Sequence, residues 1–128
     1  MTIAELLMTL TRECPNGVSF DPMAVRLLRQ KIPFEDRQIE DLKAAMFQLE
    51  NRLWFSREMI MNDESLRALK EQALKWLIVN GCFSVERLYK NFYSDLNHIT
   101  TPEDFYTFLQ HLEFTMVAKG KRCHFCIL

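Results

Sequence analysis

The fold is decided by residues 101–128, TPEDFYTFLQHLEFTMVAKGKRCHFCIL, which predict a helix followed by a β-hairpin. Thr101 is a helix-capping residue type, Pro102 favours the first helical position, and the two acidic residues that follow suit a helix N-terminus. Apolar residues then recur at the spacing of a helix face, at Phe105, Phe108, Leu109 and Leu112. After them, apolar and polar residues alternate on both sides of a turn at Lys119-Gly120-Lys121, which is the pattern of two antiparallel strands.

Two more helices are predicted upstream of this segment. Asn62-Asp63 provides the cap of a helix that Asn80-Gly81 ends. Cys82-Phe83 is a short extended connector, and Ser84 is suited to cap the next helix. The second half of the chain is therefore predicted to run helix, extended piece, helix, helix and hairpin.

The first half has the same order as far as its third helix. Its first helix is predicted to end at Cys14-Pro15-Asn16-Gly17, and Asp21-Pro22 starts a second helix that ends before Pro33. The third helix begins near Glu35-Asp36 and carries an apolar stripe, Ile39, Leu42, Met46, Leu49 and Leu53. No turn signal follows that would create a hairpin, and a short strand is predicted over Trp54–Met59 instead.

The apolar stripe of the third helix has two interpretations. It can face the core of the first half, or it can form the seam of a homodimer, because its spacing of 3 and 4 fits two heptads. A coiled coil typically shows three or four heptads, so the core is favoured.

The two halves also share a local pattern. Asn16-Gly17-Val18-Ser19-Phe20 precedes one helix as Asn80-Gly81-Cys82-Phe83-Ser84 precedes the other. The order of elements resembles the winged-helix superfamily, with Pro102–Leu112 as the third helix and Lys119–Arg122 as the wing tip. The resemblance implies a mainly α fold with a small β hairpin. It divides the chain into two tandem winged-helix-like units, residues 1–61 without a wing and 62–128 with a C-terminal hairpin.

The resemblance implies nucleic-acid binding, to DNA before RNA, by a regulator or accessory factor. Its expected phosphate contacts are the wing residues Lys119, Lys121 and Arg122. The donors that could contact bases lie in the first unit, at Arg26, Arg29, Arg37, Gln38 and Lys43. Acidic residues stand among these donors, at Glu35, Asp36, Glu40 and Asp41, and favour an ordinary solvated helix face.

The charges of the second unit favour a protein partner instead. No Lys or Arg occurs between Ser94 and Val117, and an acidic helix start repels phosphate. The alternative prediction is therefore a protein-docking module whose contacts are Glu103, Asp104, Phe105 and Tyr106. A weaker hypothesis is that the hairpin edge at Cys123–Leu128 recruits a strand from a partner.

No pattern of catalytic residues is evident, and we expect neither an enzyme nor a cofactor. Cys123-x-x-Cys126 is the one motif that could suggest metal or redox chemistry. In a strand, residues three apart point to opposite faces, so both thiolates could not easily hold one ion. The sequence also lacks a glycine-rich phosphate loop and a serine in a nucleophile-elbow context.

Composition describes an ordinary folded protein. The 128 residues are 48% hydrophobic and 26% charged, with a net charge of −1, which excludes a polybasic protein held to nucleic acid by bulk charge. No basic segment precedes the N-terminal apolar residues, so they do not predict a secretory signal, and no apolar run reaches the roughly 20 residues of a membrane span. We expect a cytoplasmic protein with reduced cysteines and no membrane contact.

Overall fold

Helices dominate the part of the chain that the structure describes. The structure is a computed structural model and describes residues 1–81, 83–112, 115–119 and 123–127. Two units are formed, Met1–Met59 and Ile60–Leu128, and the predicted division after residue 61 lies two residues further along the chain. The prediction of a mainly α chain with a small β component is confirmed.

Three helices form most of the first unit. They are α1 (Ile3–Glu13), α2 (Pro22–Arg29) and α3 (Asp36–Ala45). A capping box starts α1, in which Oγ1 of Thr2 accepts a hydrogen bond from the backbone N–H of Glu5 at 3.1 Å. Pro22 takes the first position of α2, as its fixed φ favours.

The first unit also contains a hairpin that the sequence analysis did not predict. After α3 ends at Ala45, β1 (Phe47–Gln48) pairs antiparallel with β2 (Trp54–Phe55), and the short helix α4 (Arg57–Ile60) follows. The first unit thus has a two-residue hairpin where the sequence analysis expected none, and the predicted strand over Trp54–Met59 is reduced to its first two residues.

The turn of this hairpin explains why it was missed. The N–H of Arg52 donates to the carbonyl of Leu49 at 2.9 Å, and Arg52 has a φ of 68°. This left-handed conformation is usually adopted by glycine, so an arginine at this position does not predict a turn. The predicted helical stripe therefore divides: Ile39 and Leu42 lie on α3, whereas Met46, Leu49 and Leu53 follow it. Leu42, Met46 and Leu49 are buried, so the stripe is part of the core and not a dimer seam.

Val18 adds a third extended segment to the first unit. Its N–H donates to the carbonyl of Trp54 at 2.9 Å, and its carbonyl accepts from the N–H of Trp54 at 2.8 Å. Gly17 precedes it with a φ of 104°, and a Cβ there would lie 2.9 Å from Cζ of Phe55. Glycine is therefore required at 17 by both conformation and space.

The second unit has helices in the same order. They are α5 (Asp63–Asn80), α6 (Val85–Phe92) and α7 (Pro102–His111), with a 3₁₀ turn at Tyr93–Asp95. Gly81 ends α5 in a left-handed conformation with a φ of 76°. The guanidinium of Arg87 on α6 lies over the ring of Trp76, 5.2 Å from its centroid.

A three-stranded sheet completes the second unit. β3 (Phe83–Ser84) pairs with β5 (Cys123–Ile127), which also pairs with β4 (Thr115–Lys119), and both pairings are antiparallel. In both units, the extended residues between the first two helices thus pair with the second strand of the hairpin. β5 lies between β3 and β4, but β3 pairs only with its first two residues, Cys123 and His124. The hypothesis that this hairpin edge recruits a strand from a partner therefore stays a prediction.

Each unit has its own apolar core. Leu6, Leu10, Leu42 and Phe55 are fully buried in the first unit, and Leu69, Ala73, Leu88, Phe105, Phe108 and Leu109 are fully buried in the second. Among the described residues, no helix has both the length and the apolar composition that a membrane span needs.

Candidate interaction surfaces

Three of the predicted base-contacting residues are held by neighbouring groups of the chain. Nε of Arg37 lies 2.5 Å from Oε2 of Glu35, and Arg29 forms an ion pair with Asp36. The guanidinium of Arg29 also lies over the ring of Phe34, 5.2 Å from its centroid. Gln38 donates from Nε2 to the carbonyl of Met1 at 3.0 Å.

Lys43 is held in place by aromatic rings. Its Nζ lies 5.7 Å from the ring centroid of Trp54 and 5.9 Å from that of Phe20, and Oε1 of Glu40 is 4.0 Å away. The positive charge of a lysine placed over two aromatic rings is stabilised by cation–π interactions with both rings. Together with the contacts of Arg37 and Gln38, this leaves α3 without an open row of donors for base edges.

Arg26 and Lys31 differ from these residues. Both are exposed, and neither forms an ion pair within the described part of the chain. They belong to the segment 22–34, which contains three cations and no acidic residue. This segment is the most uniformly basic stretch of the first unit.

An apolar groove lies beside these cations. It is a cavity of about 420 Å³ between the end of α1 and α2, lined by apolar side chains that include Val18, Leu28 and Ile32. Glu13 and Lys31 also line it. Burial raises the pKa of the Cys14 thiol in its wall, and Glu13 adds to this effect, so the thiol stays protonated at neutral pH.

Two large apolar side chains are exposed on α2, and one of them, Leu27, lines the groove. Met23 is 69% exposed and Leu27 is 58% exposed. We call the patch formed by Met23, Arg26, Leu27 and Lys31 the α2 surface. Its apolar residues were not singled out from the sequence, because α2 is amphipathic and its apolar positions are expected to face the core.

A comparison of α2 with α6 shows what the fold requires at these positions. Asp21 stands at the N-cap position of α2 as Ser84 does at that of α6, and when the two positions are aligned, buried Val25 corresponds to buried Leu88. In the same alignment, Met23 corresponds to Glu86 and Leu27 to Lys90, both exposed. The architecture therefore accepts charged residues where α2 carries methionine and leucine. Aligning the two caps in the sequence would have revealed this difference.

The residues of the alternative docking hypothesis are largely inside the second unit. Phe105 is fully buried, with its ring centroid 5.5 Å from that of Tyr89, and Asp104 is only 7% exposed. Exposed Glu103 and half-buried Tyr106 remain at the surface. The prediction that Asp104 and Phe105 face a partner is thus corrected, because the aromatic face of α7 builds the core.

Only one of the three predicted wing cations lies within the described residues. Lys119 is the last residue of β4, while Lys121 and Arg122 lie outside the described residues. Cys123 and Cys126 both lie on β5, three positions apart. The described residues contain no group of three His, Cys, Asp or Glu that could hold a metal ion.

Comparison of the chain with known protein families, with curated proteins and with solved structures finds no match.

Proposed function

We propose that this chain is a non-enzymatic protein of two tandem winged-helix-like units, and that its first unit docks an acidic, amphipathic segment of a partner protein on the α2 surface. The order of elements in each unit supports the first part. So does the shared pairing, in which Val18 and β3 each join the second strand of a hairpin.

The exposed pair Met23 and Leu27 carries the docking proposal. Large apolar side chains on a surface mark an interaction site when they form a patch, and these two are one helical turn apart beside an apolar groove. The fold does not need them, since Glu86 and Lys90 occupy the corresponding positions of α6.

The charges around the pair define the partner. Arg26 and Lys31 are cations without an ion pair in the described chain, and the segment 22–34 has no acidic residue of its own. Glu13 is the one acid lining the groove. A partner helix with apolar residues at i and i+4 and carboxylates on its flanks would cover the pair and neutralise the cations.

Nucleic-acid binding is the second candidate, and the basic wing favours it. Lys119, Lys121 and Arg122 place three positive charges within four residues of the sequence. Arg26 could add a phosphate contact. The cations around α3 already form ion pairs or cation–π contacts within the chain, which argues against sequence-specific recognition of DNA by this helix. A helix that recognises a DNA sequence needs free donors directed toward base edges.

The experiment measures the anisotropy of three labelled probes: an amphipathic Leu/Glu helical peptide, its Leu/Lys counterpart and random duplex DNA. Each is titrated with the full chain across a range of salt. The key variant is Met23→Glu/Leu27→Lys, which introduces the residues that α6 carries and so preserves the fold. A triple variant of the wing, Lys119, Lys121 and Arg122 to Ala, is the matched test of the second candidate.

The docking proposal requires micromolar binding of the acidic peptide, weak binding of the basic one, and loss of at least about tenfold in affinity in the Met23/Leu27 variant. Binding of DNA that weakens steeply with salt and is lost in the wing variant would replace it with the second candidate. An acidic peptide that binds the Met23/Leu27 variant as well as the natural chain would overturn the docking site.

A further inference from the structure

The outer face of α5 carries apolar residues that the second unit does not bury. Ile78 is 75% exposed, Val79 is 70% exposed and Leu74 is 43% exposed, whereas Leu69 and Ala73 on the opposite side are fully buried. The helix is amphipathic at its start and apolar on both sides near its end. Its outer face therefore exposes three large apolar side chains close together, a feature that is typical of an interaction surface.

Charged and small residues continue this face toward the helix start. Glu64, Arg67, Ala68, Glu71 and Lys75 are all exposed. With the apolar residues, they occupy one side of the helix by their spacing of three and four. Neither Glu71 nor Lys75 has an ion pair within the described chain.

The face is complementary to itself in an antiparallel arrangement. If Glu71 of one copy lies opposite Lys75 of a second, the two-fold symmetry forms the same pair twice. Because the rise per residue is the same in both helices, Ile78 then lies level with Ala68 of the second copy. Ala68 is small, and the residues around it on the same face, Glu64, Arg67 and Glu71, would complete a hole for the Ile78 side chain. Leu74 of each copy approaches the symmetry axis.

A parallel arrangement lacks this complementarity. It would set Glu71 against Glu71 and Lys75 against Lys75, which are repulsive pairs of like charge. The antiparallel arrangement thus satisfies the two unpaired charges and buries the exposed apolar residues together.

We propose that the outer face of α5 is a homodimer interface, in which two copies of the chain pair their α5 helices antiparallel through Glu71–Lys75 contacts and Ile78 packing. This interface is independent of the α2 surface, so it does not rest on the proposed docking function. One helix pair buries less than a standard interface, and the dimer is expected to dissociate in the micromolar range.

The test is sedimentation velocity of the full chain from micromolar to near-millimolar concentration, for the natural sequence and for two single variants. Glu71→Lys places lysine against lysine, and Lys75→Glu places glutamate against glutamate, so each variant should be monomeric alone. Mixed in equal amounts, the two variants regain opposite charges at both contacts and should form a heterodimer.

Glu86→Lys and Lys90→Glu are the matched controls. They make the same charge changes at the same spacing on exposed positions of α6, and should leave the self-association of each chain unchanged. Ile78→Ser tests the apolar contact without a change of charge and should weaken the dimer at least about tenfold. Circular dichroism of each variant separates lost association from lost folding.

Three results would overturn the proposal. These are a natural chain that stays monomeric throughout the concentration range, single variants that dimerise as the natural chain does, and a mixture of the two variants that stays monomeric. A dimer that is insensitive to Glu71→Lys and Ile78→Ser uses another face, and the α5 interface is then rejected.

Discussion

Oγ1 of Thr11 and Oγ of Ser56 lie 2.7 Å apart, joining α1 to the residue that follows β2. The hydroxyl of Thr11 also donates to the carbonyl of Leu7 at 2.8 Å, and a hydroxyl has a single proton to give. Ser56 is therefore the donor and Thr11 the acceptor. Ser56 has no exposed surface, so its hydroxyl depends on this bond.

Thr11→Val should destabilise the first unit by about 1–3 kcal/mol, because it keeps the shape of the side chain and leaves the buried hydroxyl of Ser56 without its acceptor. Ser56→Ala should cost less, about 0.5–1.5 kcal/mol. In the double variant the costs should be less than additive, as determined by urea denaturation. Strict additivity would show that the two hydroxyls do not interact.

Gly17→Ala should destabilise the chain more than Gly81→Ala. Both glycines have positive φ, but an added Cβ at 17 meets the ring of Phe55, whereas nothing lies within 4 Å of one at 81. We expect about 1 kcal/mol for Gly81→Ala from conformation alone, and about 2 kcal/mol or more for Gly17→Ala. Thermal denaturation of both variants provides the comparison, and equal losses would contradict the close approach at Phe55.

Arg52→Gly should stabilise the first hairpin by about 0.5–1 kcal/mol, because glycine adopts the left-handed conformation without the steric strain that a Cβ atom causes there. Arg52→Ala is the matched control: it deletes the same charge and keeps the cost. Urea denaturation of the two variants should therefore differ. If both behave alike, the charge and not the backbone conformation determines the effect.

Tyr89→Phe should leave stability at neutral pH unchanged or slightly raised. The hydroxyl of Tyr89 is buried and has no hydrogen-bond partner among the described residues, so its removal loses no bond. Burial raises the pKa of this phenol, with smaller contributions from Tyr93 and Asp104. A loss of more than about 1 kcal/mol on urea denaturation would reveal a bond to this hydroxyl.

The same pKa predicts a pH dependence. The folded chain retains the phenol proton at a pH where the unfolded chain has released it, so stability falls as the pH rises above about 10, the ordinary tyrosine value. Tyr89→Phe should reduce this alkaline loss. Denaturation curves collected from neutral to alkaline pH measure it, and identical slopes for both chains would show that another group is responsible.

Helix starts were the most predictable part of the fold. Asp21-Pro22 and Thr101-Pro102 mark α2 and α7 at their observed first residues, because capping and the φ of proline act locally. The first hairpin was not predictable in this way. Its turn requires a left-handed conformation at Arg52, which an arginine in the sequence does not indicate. The hairpin also depends on the pairing of Val18 with Trp54, which is distant in the sequence.

The candidate surfaces were predictable only as residue types. The sequence identifies Arg29, Arg37 and Lys43 as cations near one another, but it does not say that Asp36, Glu35 and two aromatic rings hold them. Likewise, Phe105 has the same composition signal whether α7 turns its aromatic face outward or inward. The direction of this face is determined by tertiary packing, which the composition does not show.

The positions of the two tryptophans make each unit observable on its own. Trp54 lies under Lys43 in the first unit, and Trp76 lies under Arg87 in the second. The chain has no other tryptophan, so replacing either one with phenylalanine leaves a single tryptophan whose emission reports on one unit alone. Ligand titrations and unfolding curves can then be assigned to the first or second unit without separating them.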